Sequence, residues 1–86
     1  MPEISRFFGI VVAMYYREHD PPHFHVRYAG FHALVGMRPL AVLRGSIPPR
    51  VLGLVTEWAA RHETELAADW ERARRNEPLL PIPPLE

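Results

Sequence analysis

The sequence has 86 residues and contains no cysteine and no lysine, and each absence narrows what the chain can do. Without cysteine there is no disulfide and no thiolate ligand for a metal ion. The ten positive charges are therefore all arginines, and they are balanced by ten acidic residues. Such a neutral chain lacks the strongly basic surface that is typical of nucleic-acid-binding domains, so the charge gives little support to a nucleic-acid partner.

Long hydrophobic runs are also missing. No stretch reaches the roughly 18–20 apolar residues that a membrane-spanning helix needs. The apolar segment Phe7–Tyr16 has neither the basic leader nor the cleavage site of a signal peptide. We therefore predict a cytoplasmic protein that has no membrane partner.

The composition predicts a single small folded unit. Hydrophobic residues make up 48% of the chain, which is ordinary for a globular protein. The last ten residues, Glu77–Glu86, contain four prolines and cannot continue a helix. We predict one α+β domain over residues 1–76 and an extended, proline-rich tail over residues 77–86.

The residue pattern predicts a small antiparallel β-meander of three to four strands, followed by one or two C-terminal helices. The predicted strands are Phe8–Tyr16, His23–Tyr28, Phe31–Met37 and the shorter Ala41–Arg44. Ser46 is a candidate helix cap before Pro48 and Pro49. From Val51 to Ala73 apolar residues recur every three or four positions, on one helix or on two that bend near Arg61–Thr64.

The first predicted strand is apolar on both faces, whereas one layer of helices covers only one face of a sheet. Something else must then cover the second face. A second copy of the chain, a small partner protein and the apolar tail segment Leu79–Ile82 are three alternatives.

The segment His19–His25 holds three of the five histidines beside two adjacent prolines. A two-residue loop at Ala29–Gly30, with glycine supplying a positive φ, would place Tyr28 opposite Phe31. In that register His25 faces Leu34 and Arg27 faces His32, and partners across two strands share one face. The face then carries His23, His25, Arg27 and His32. Glu18 and His19, before the prolines, could approach it.

Three interpretations of this face stay open. His19, His23 and His25 could bind a metal ion such as Zn²⁺. Alternatively, His23 and His25 could exchange a proton on a phosphodiester while Arg27 or Arg38 stabilises the developing charge, which makes His23, His25 and Arg27 the catalytic candidates and requires no cofactor. Finally, the histidines could be structural groups that form hydrogen bonds with the backbone.

Several segments resemble a bacterial protein family. They are Ile4–Ile10, the string Met14–His25 with its Pro-Pro-His-Phe-His core, Glu57-Trp58-Ala59 and Asp69-Trp70-Glu71. Together they resemble the family called Domain of Unknown Function 4160 over nearly the whole chain. The resemblance implies no defined activity. It implies a small protein encoded beside another small protein, an arrangement like a type II toxin–antitoxin pair in which some members are classed as toxins.

From the sequence we therefore predict an interaction module, the toxin-like component of a two-gene pair, that binds a small partner protein encoded nearby or forms a homo-oligomer. One alternative is an enzyme that uses the histidine cluster, either a small metal-independent ribonuclease or a metal-dependent hydrolase. Another is a homo-oligomeric domain with purely structural histidines. The sequence leaves open whether the protein is an enzyme.

Overall fold

The five strands of the protein lie in one antiparallel sheet in the same order as they occur along the chain. The structure is a computed structural model that describes residues 2–86. The strands are β1 Glu3–Phe7, β2 Ile10–Ala13, β3 His23–Tyr28, β4 Phe31–Met37 and β5 Leu40–Ser46, and they are followed by the helices α1 Pro49–Arg61 and α2 Glu63–Arg74. The α+β class and the meander are as predicted, but the sheet has five strands rather than three to four.

The predicted first strand, Phe8–Tyr16, is present but too long, and β1 before it was not predicted. A two-residue turn at Phe8 and Gly9, with φ angles of 51° and 77°, lies at its start, and Phe7 pairs with Ile10 across the turn. The strand that follows ends at Ala13. This turn could not be predicted from the sequence, because Phe8 is a large apolar residue of a type that seldom adopts a positive φ.

The β3–β4 hairpin has the predicted register. Tyr28 pairs with Phe31 and Arg27 pairs with His32, so the loop is the two residues Ala29 and Gly30. The positive φ of the loop is at Ala29 (52°), however, and Gly30 does not adopt the left-handed conformation. Alternation along the two strands places the apolar side chains toward the helices and the histidines on the opposite face, called here the open face.

Strand β5 contains an irregularity that shapes the open face. Leu34 pairs with Arg44 and Val35 pairs with Val42, which leaves Leu43 as an extra residue in a β-bulge. Successive strand residues normally point to opposite faces. Because of the bulge, Leu43 and Arg44 both border one cleft on the open face.

The two helices cover the other face of the sheet. Pro49 begins α1 and Pro48 is its N-terminal cap residue, so the prediction of Ser46 as the cap is wrong, because Ser46 still belongs to β5. The helical region consists of two helices that meet at His62. The fully buried Trp58 packs against Phe24 of β3, with ring centroids 6.0 Å apart. No helix within residues 2–86 is long and apolar enough to cross a membrane.

The proline-rich tail lies along the β1 edge of the sheet. The N–H of Ile82 donates to the carbonyl of Ile4 at 2.8 Å, and the indole N–H of Trp58 donates to the carbonyl of Pro83 at 2.9 Å. Ile82 and Leu85 are buried in the same core as the helices. The tail therefore packs against the core at the β1 edge and beside α2, and not on the open face, where His23 and His25 are only 5% and 7% exposed.

Candidate metal centre

One oxygen of Glu18 lies between two imidazoles on the open face. Its Oε1 is 2.8 Å from Nε2 of His25 and 3.3 Å from Nε2 of His23. The three potential ligand atoms of Glu18, His23 and His25 all lie within 4.8 Å of one another. Two ligand atoms on a tetrahedral zinc ion with bonds of about 2.0–2.1 Å are roughly 3.3 Å apart, so small movements would bring these atoms to one ion.

His23 is fixed in a single orientation. Its Nδ1–H donates to the carbonyl of Pro21 at 2.8 Å, and its ring lies against Trp70 with the centroids 5.3 Å apart. Since a carbonyl only accepts hydrogen bonds, Nδ1 carries a proton, and in the neutral form of the ring Nε2 has the lone pair. The side chain is only 7% exposed, and its Nε2 has no hydrogen-bond partner because its approach to Glu18 lacks hydrogen-bond geometry.

His25 lies between Glu18 and His32. Its Nε2–H donates to the Glu18 carboxylate, and its Nδ1 is 3.1 Å from Nε2 of His32, whose nearly parallel ring is tilted by 18°. The Tyr15 ring meets the imidazole edge-on at a centroid distance of 4.4 Å. Burial lowers the pKa of His25 below its ordinary value, while Glu18 partly opposes this shift and the neighbouring histidines add to it.

His32 can support either tautomer of His25. In the arrangement seen, the Nε2–H of His32 donates to Nδ1 of His25. If the Nε2 of His25 bound a metal ion, its proton would move to Nδ1 and would be donated to His32 instead. Metal-binding histidines usually donate their second N–H to an acceptor in this way. The Pro21 carbonyl has the same role for His23.

Glu18 reaches the histidines from the loop between β2 and β3. The preceding residue, Arg17, has a φ of 59°, a left-handed conformation that reverses the chain just before the carboxylate. Glu18 is partly exposed, with 26% of its side chain accessible to solvent. The loop thus brings an anionic group to the edge of a buried histidine pair.

A cleft of about 370 Å³ opens beside this group. Glu18 and His23 line it, so a metal ion held by them would have a coordination position facing the cleft. The remaining lining comes from the loop and from strands β4 and β5, namely His19, Asp20, Pro21, Leu34, Leu43 and Arg44.

The structure brings some of the predicted site residues together and separates others. His23 and His25 converge, and Glu18 rather than His19 is the third member of the group, although His19 lines the same cleft. Arg27 donates to the hydroxyl of Tyr15 at 3.1 Å. Arg38 follows β4 and lines a different cleft, beside Trp70 of α2.

One cleft residue, Arg44, was not a predicted site residue. Its placement follows from the bulge in β5, which the sequence does not reveal. Regular pairing continued from Met37 and Leu40 would instead set Arg44 opposite Ala33, which is buried in the core, so the residue pattern carries no signal for its position in the cleft.

Comparison with known proteins gives one family. The family model described as "Domain of unknown function (DUF4160)" matches residues 9–71, which include Glu18, His23, His25, His32 and Arg44. No curated protein and no solved structure matches the chain.

Proposed function

The chain belongs to this family of unknown function, and from the geometry of its site we propose that it binds one Zn²⁺ ion through Glu18, His23 and His25 and uses it in hydrolysis. The observation that carries the proposal is the buried Nε2 of His23, which lies 3.3 Å from a carboxylate oxygen and has no hydrogen-bond partner. A buried imidazole nitrogen without a hydrogen-bond partner costs free energy, and a metal ion bound to it and to the carboxylate would remove that cost.

The donor set supports zinc and a catalytic type of site. Two imidazoles and one carboxylate are the protein ligands of several zinc hydrolases, in which the fourth position is left for water or substrate. The cleft beside Glu18 and His23 offers space for such a position. In a site of this type the bound ion lowers the pKa of a water molecule and polarises the bond to be cleaved.

The test is zinc binding by the purified full chain, measured by titration calorimetry after removal of metals. We expect one ion per chain, with the affinity reduced more than a hundredfold in Glu18→Gln and in His23→Gln, since removal of a ligand costs more than the roughly 10–100-fold effect of a supporting residue. Circular dichroism would establish that each variant is folded.

Two histidines serve as controls. His62→Gln removes a histidine that also contacts a carboxylate, at 2.9 Å from Glu65, but that lies outside the group. His19→Gln removes the third ligand that the sequence predicts. We expect both variants to bind zinc like the wild type. Equal binding by all variants, or retention of iron rather than zinc by the same residues, would contradict the proposal.

The open edge of the sheet favours a second candidate function, that of one component of a toxin–antitoxin-like pair acting in the cytoplasm. The outer edge of β5 pairs with no strand within residues 2–86, and Val42 and Leu43 are 36% and 49% exposed. An exposed edge strand with apolar side chains is suited to accept a strand from another chain. The partner we propose is the small protein encoded by the neighbouring gene.

This candidate is tested by mixing the purified chain with the purified product of the neighbouring gene. Hydrogen exchange should slow in Leu40–Ser46 on mixing, and Val42→Lys should weaken the complex at least tenfold. Phe8→Lys is the matched control, because Phe8 is 61% exposed but lies in the β1–β2 turn at the far side of the sheet. No complex, or equal weakening by both variants, would count against β5 as the interface.

A further inference from the structure

The cleft beside the metal position has one cationic wall and one apolar wall. Arg44 and Leu43, which follow each other in β5, both line it, because the bulge turns two successive residues toward the same cleft. Bulges of this kind are common beside functional sites, where they redirect a side chain. The local structure thus places a guanidinium and an isobutyl group side by side.

Arg44 is an exposed arginine with no side-chain partner among residues 2–86. None of the side-chain hydrogen bonds or ion pairs among residues 2–86 involves it. Four of the other nine arginines form ion pairs with acidic side chains, for example Arg6 with Glu3 and Arg61 with Glu57. A guanidinium presents several donors in a planar arrangement that fits the oxygens of phosphate or carboxylate groups.

The apolar wall of the cleft is formed by two leucines, Leu43 of β5 and Leu34 of β4. A Cβ atom at Gly36 would lie 3.3 Å from three carbons of the Leu43 side chain, so Leu43 lies directly over the bare backbone of Gly36. Leu34 borders the same cleft. Together the two leucines offer a surface for an apolar group next to the guanidinium.

The charges around the cleft change sign when a divalent ion is bound. Without an ion the lining acids Glu18 and Asp20 outnumber the single cation Arg44, whereas an added Zn²⁺ leaves one net positive charge. An anionic ligand is then favoured only in the metal-loaded protein. A phosphate group can place one oxygen on zinc and another near a guanidinium, as phosphoryl groups are commonly held.

We propose that the substrate class of the zinc site is a phosphate ester with an apolar organic group, whose phosphate bridges the metal position and Arg44 while the organic group lies on Leu34 and Leu43. This inference rests on the proposed zinc site. In the hydrolysis, the oxygen of a water molecule bonds to phosphorus, the bond from phosphorus to the ester oxygen breaks, and a proton of the water ends on the leaving oxygen.

The experiment measures zinc binding first and then the binding of phenyl phosphate to the zinc-loaded full chain. We expect Arg44→Gln to weaken phenyl phosphate binding at least tenfold with no change in zinc affinity. Arg50→Gln is the matched control, because Arg50 is an exposed arginine in the first turn of α1, away from the cleft lining. Leu43→Ser should weaken the binding of phenyl phosphate more than that of inorganic phosphate.

The outcomes separate the two proposals. A chain that binds no zinc overturns both. A chain that binds zinc but holds phenyl phosphate equally well with and without Arg44 overturns the substrate class alone, as does phenyl phosphate binding of the same strength in the zinc-free protein.

Discussion

Nε2 of His23 lies 3.3 Å from Oε1 of Glu18 with no hydrogen bond between them, while Nδ1–H of His23 donates to the Pro21 carbonyl. In the neutral form of the ring this Nε2 is a buried acceptor without a donor, which costs about 1–3 kcal/mol. A bound cation would remove this cost and would use the orientation that Pro21 and Trp70 already impose on the ring.

His32 should act as a supporting residue for zinc. Its ring accepts the second N–H of a metal-bound His25, and loss of such a support typically lowers metal affinity about 10–100-fold. We expect His32→Ala to lower zinc affinity within that range without changing the one-to-one stoichiometry, as measured by calorimetry. A complete loss of zinc binding would indicate that His32 is itself a ligand. Unchanged zinc affinity would show that His32 does not support the site.

The metal-free protein should lose stability as the pH falls below neutral. Burial lowers the pKa of His25 in the folded state below the ordinary 6.5, so the unfolded chain takes up the proton first. Above about pH 6.5 the contribution of His25 to the free energy of unfolding is therefore constant. This contribution decreases as the pH falls from there toward the pKa of His25 in the folded state.

This pH effect is measured as the urea midpoint of the metal-free protein at pH 7.5 and at pH 5.5. His25→Asn removes the titrating group, and its midpoint should fall less between the two pH values than that of the wild type. An identical fall in both proteins would assign the effect to other groups.

Two glycines of the same hairpin region should respond oppositely to alanine. Gly45 has a φ of 80°, and a Cβ there would lie 2.2 Å from the carbonyl oxygen of His32, whereas Gly30 has open space and no left-handed φ. We expect Gly45→Ala to lower the free energy of unfolding by more than about 2 kcal/mol and to weaken zinc binding by displacing His32. Gly30→Ala should be neutral or stabilising by up to about 1 kcal/mol. Urea denaturation of both variants tests this, and equal effects would contradict it.

Part of the site could be predicted because it depends on local rules. The Ala29–Gly30 loop length fixes the register of β3 and β4, and the register fixes that His25 and His32 share a face with Arg27. Alternation along β3 separates the histidines from Phe24 and Val26, which are buried in the core. The loop length and the alternation of residues along each strand were therefore sufficient to predict which side chains share a face.

The remaining features of the site depend on backbone conformations that could not be predicted from the residue types. Phe8 in a left-handed turn ends β1 and precedes β2, and Arg17 in a left-handed conformation brings Glu18 to the histidines. These two residue types disfavour a positive φ, so tertiary packing decides the conformation. The bulge at Leu43, which brings Arg44 to the cleft, has no marker in the sequence either.

The most direct measurement is a crystal structure of the zinc-soaked protein with anomalous diffraction at the zinc edge. We predict one zinc ion per chain, bound by Nε2 of His23, Nε2 of His25 and a carboxylate oxygen of Glu18 at about 2.0–2.2 Å, with a further position open to the cleft. A zinc ion bound only elsewhere, for example between His62 and Glu65, or no ion at all with His23 Nε2 still unpaired, would contradict it.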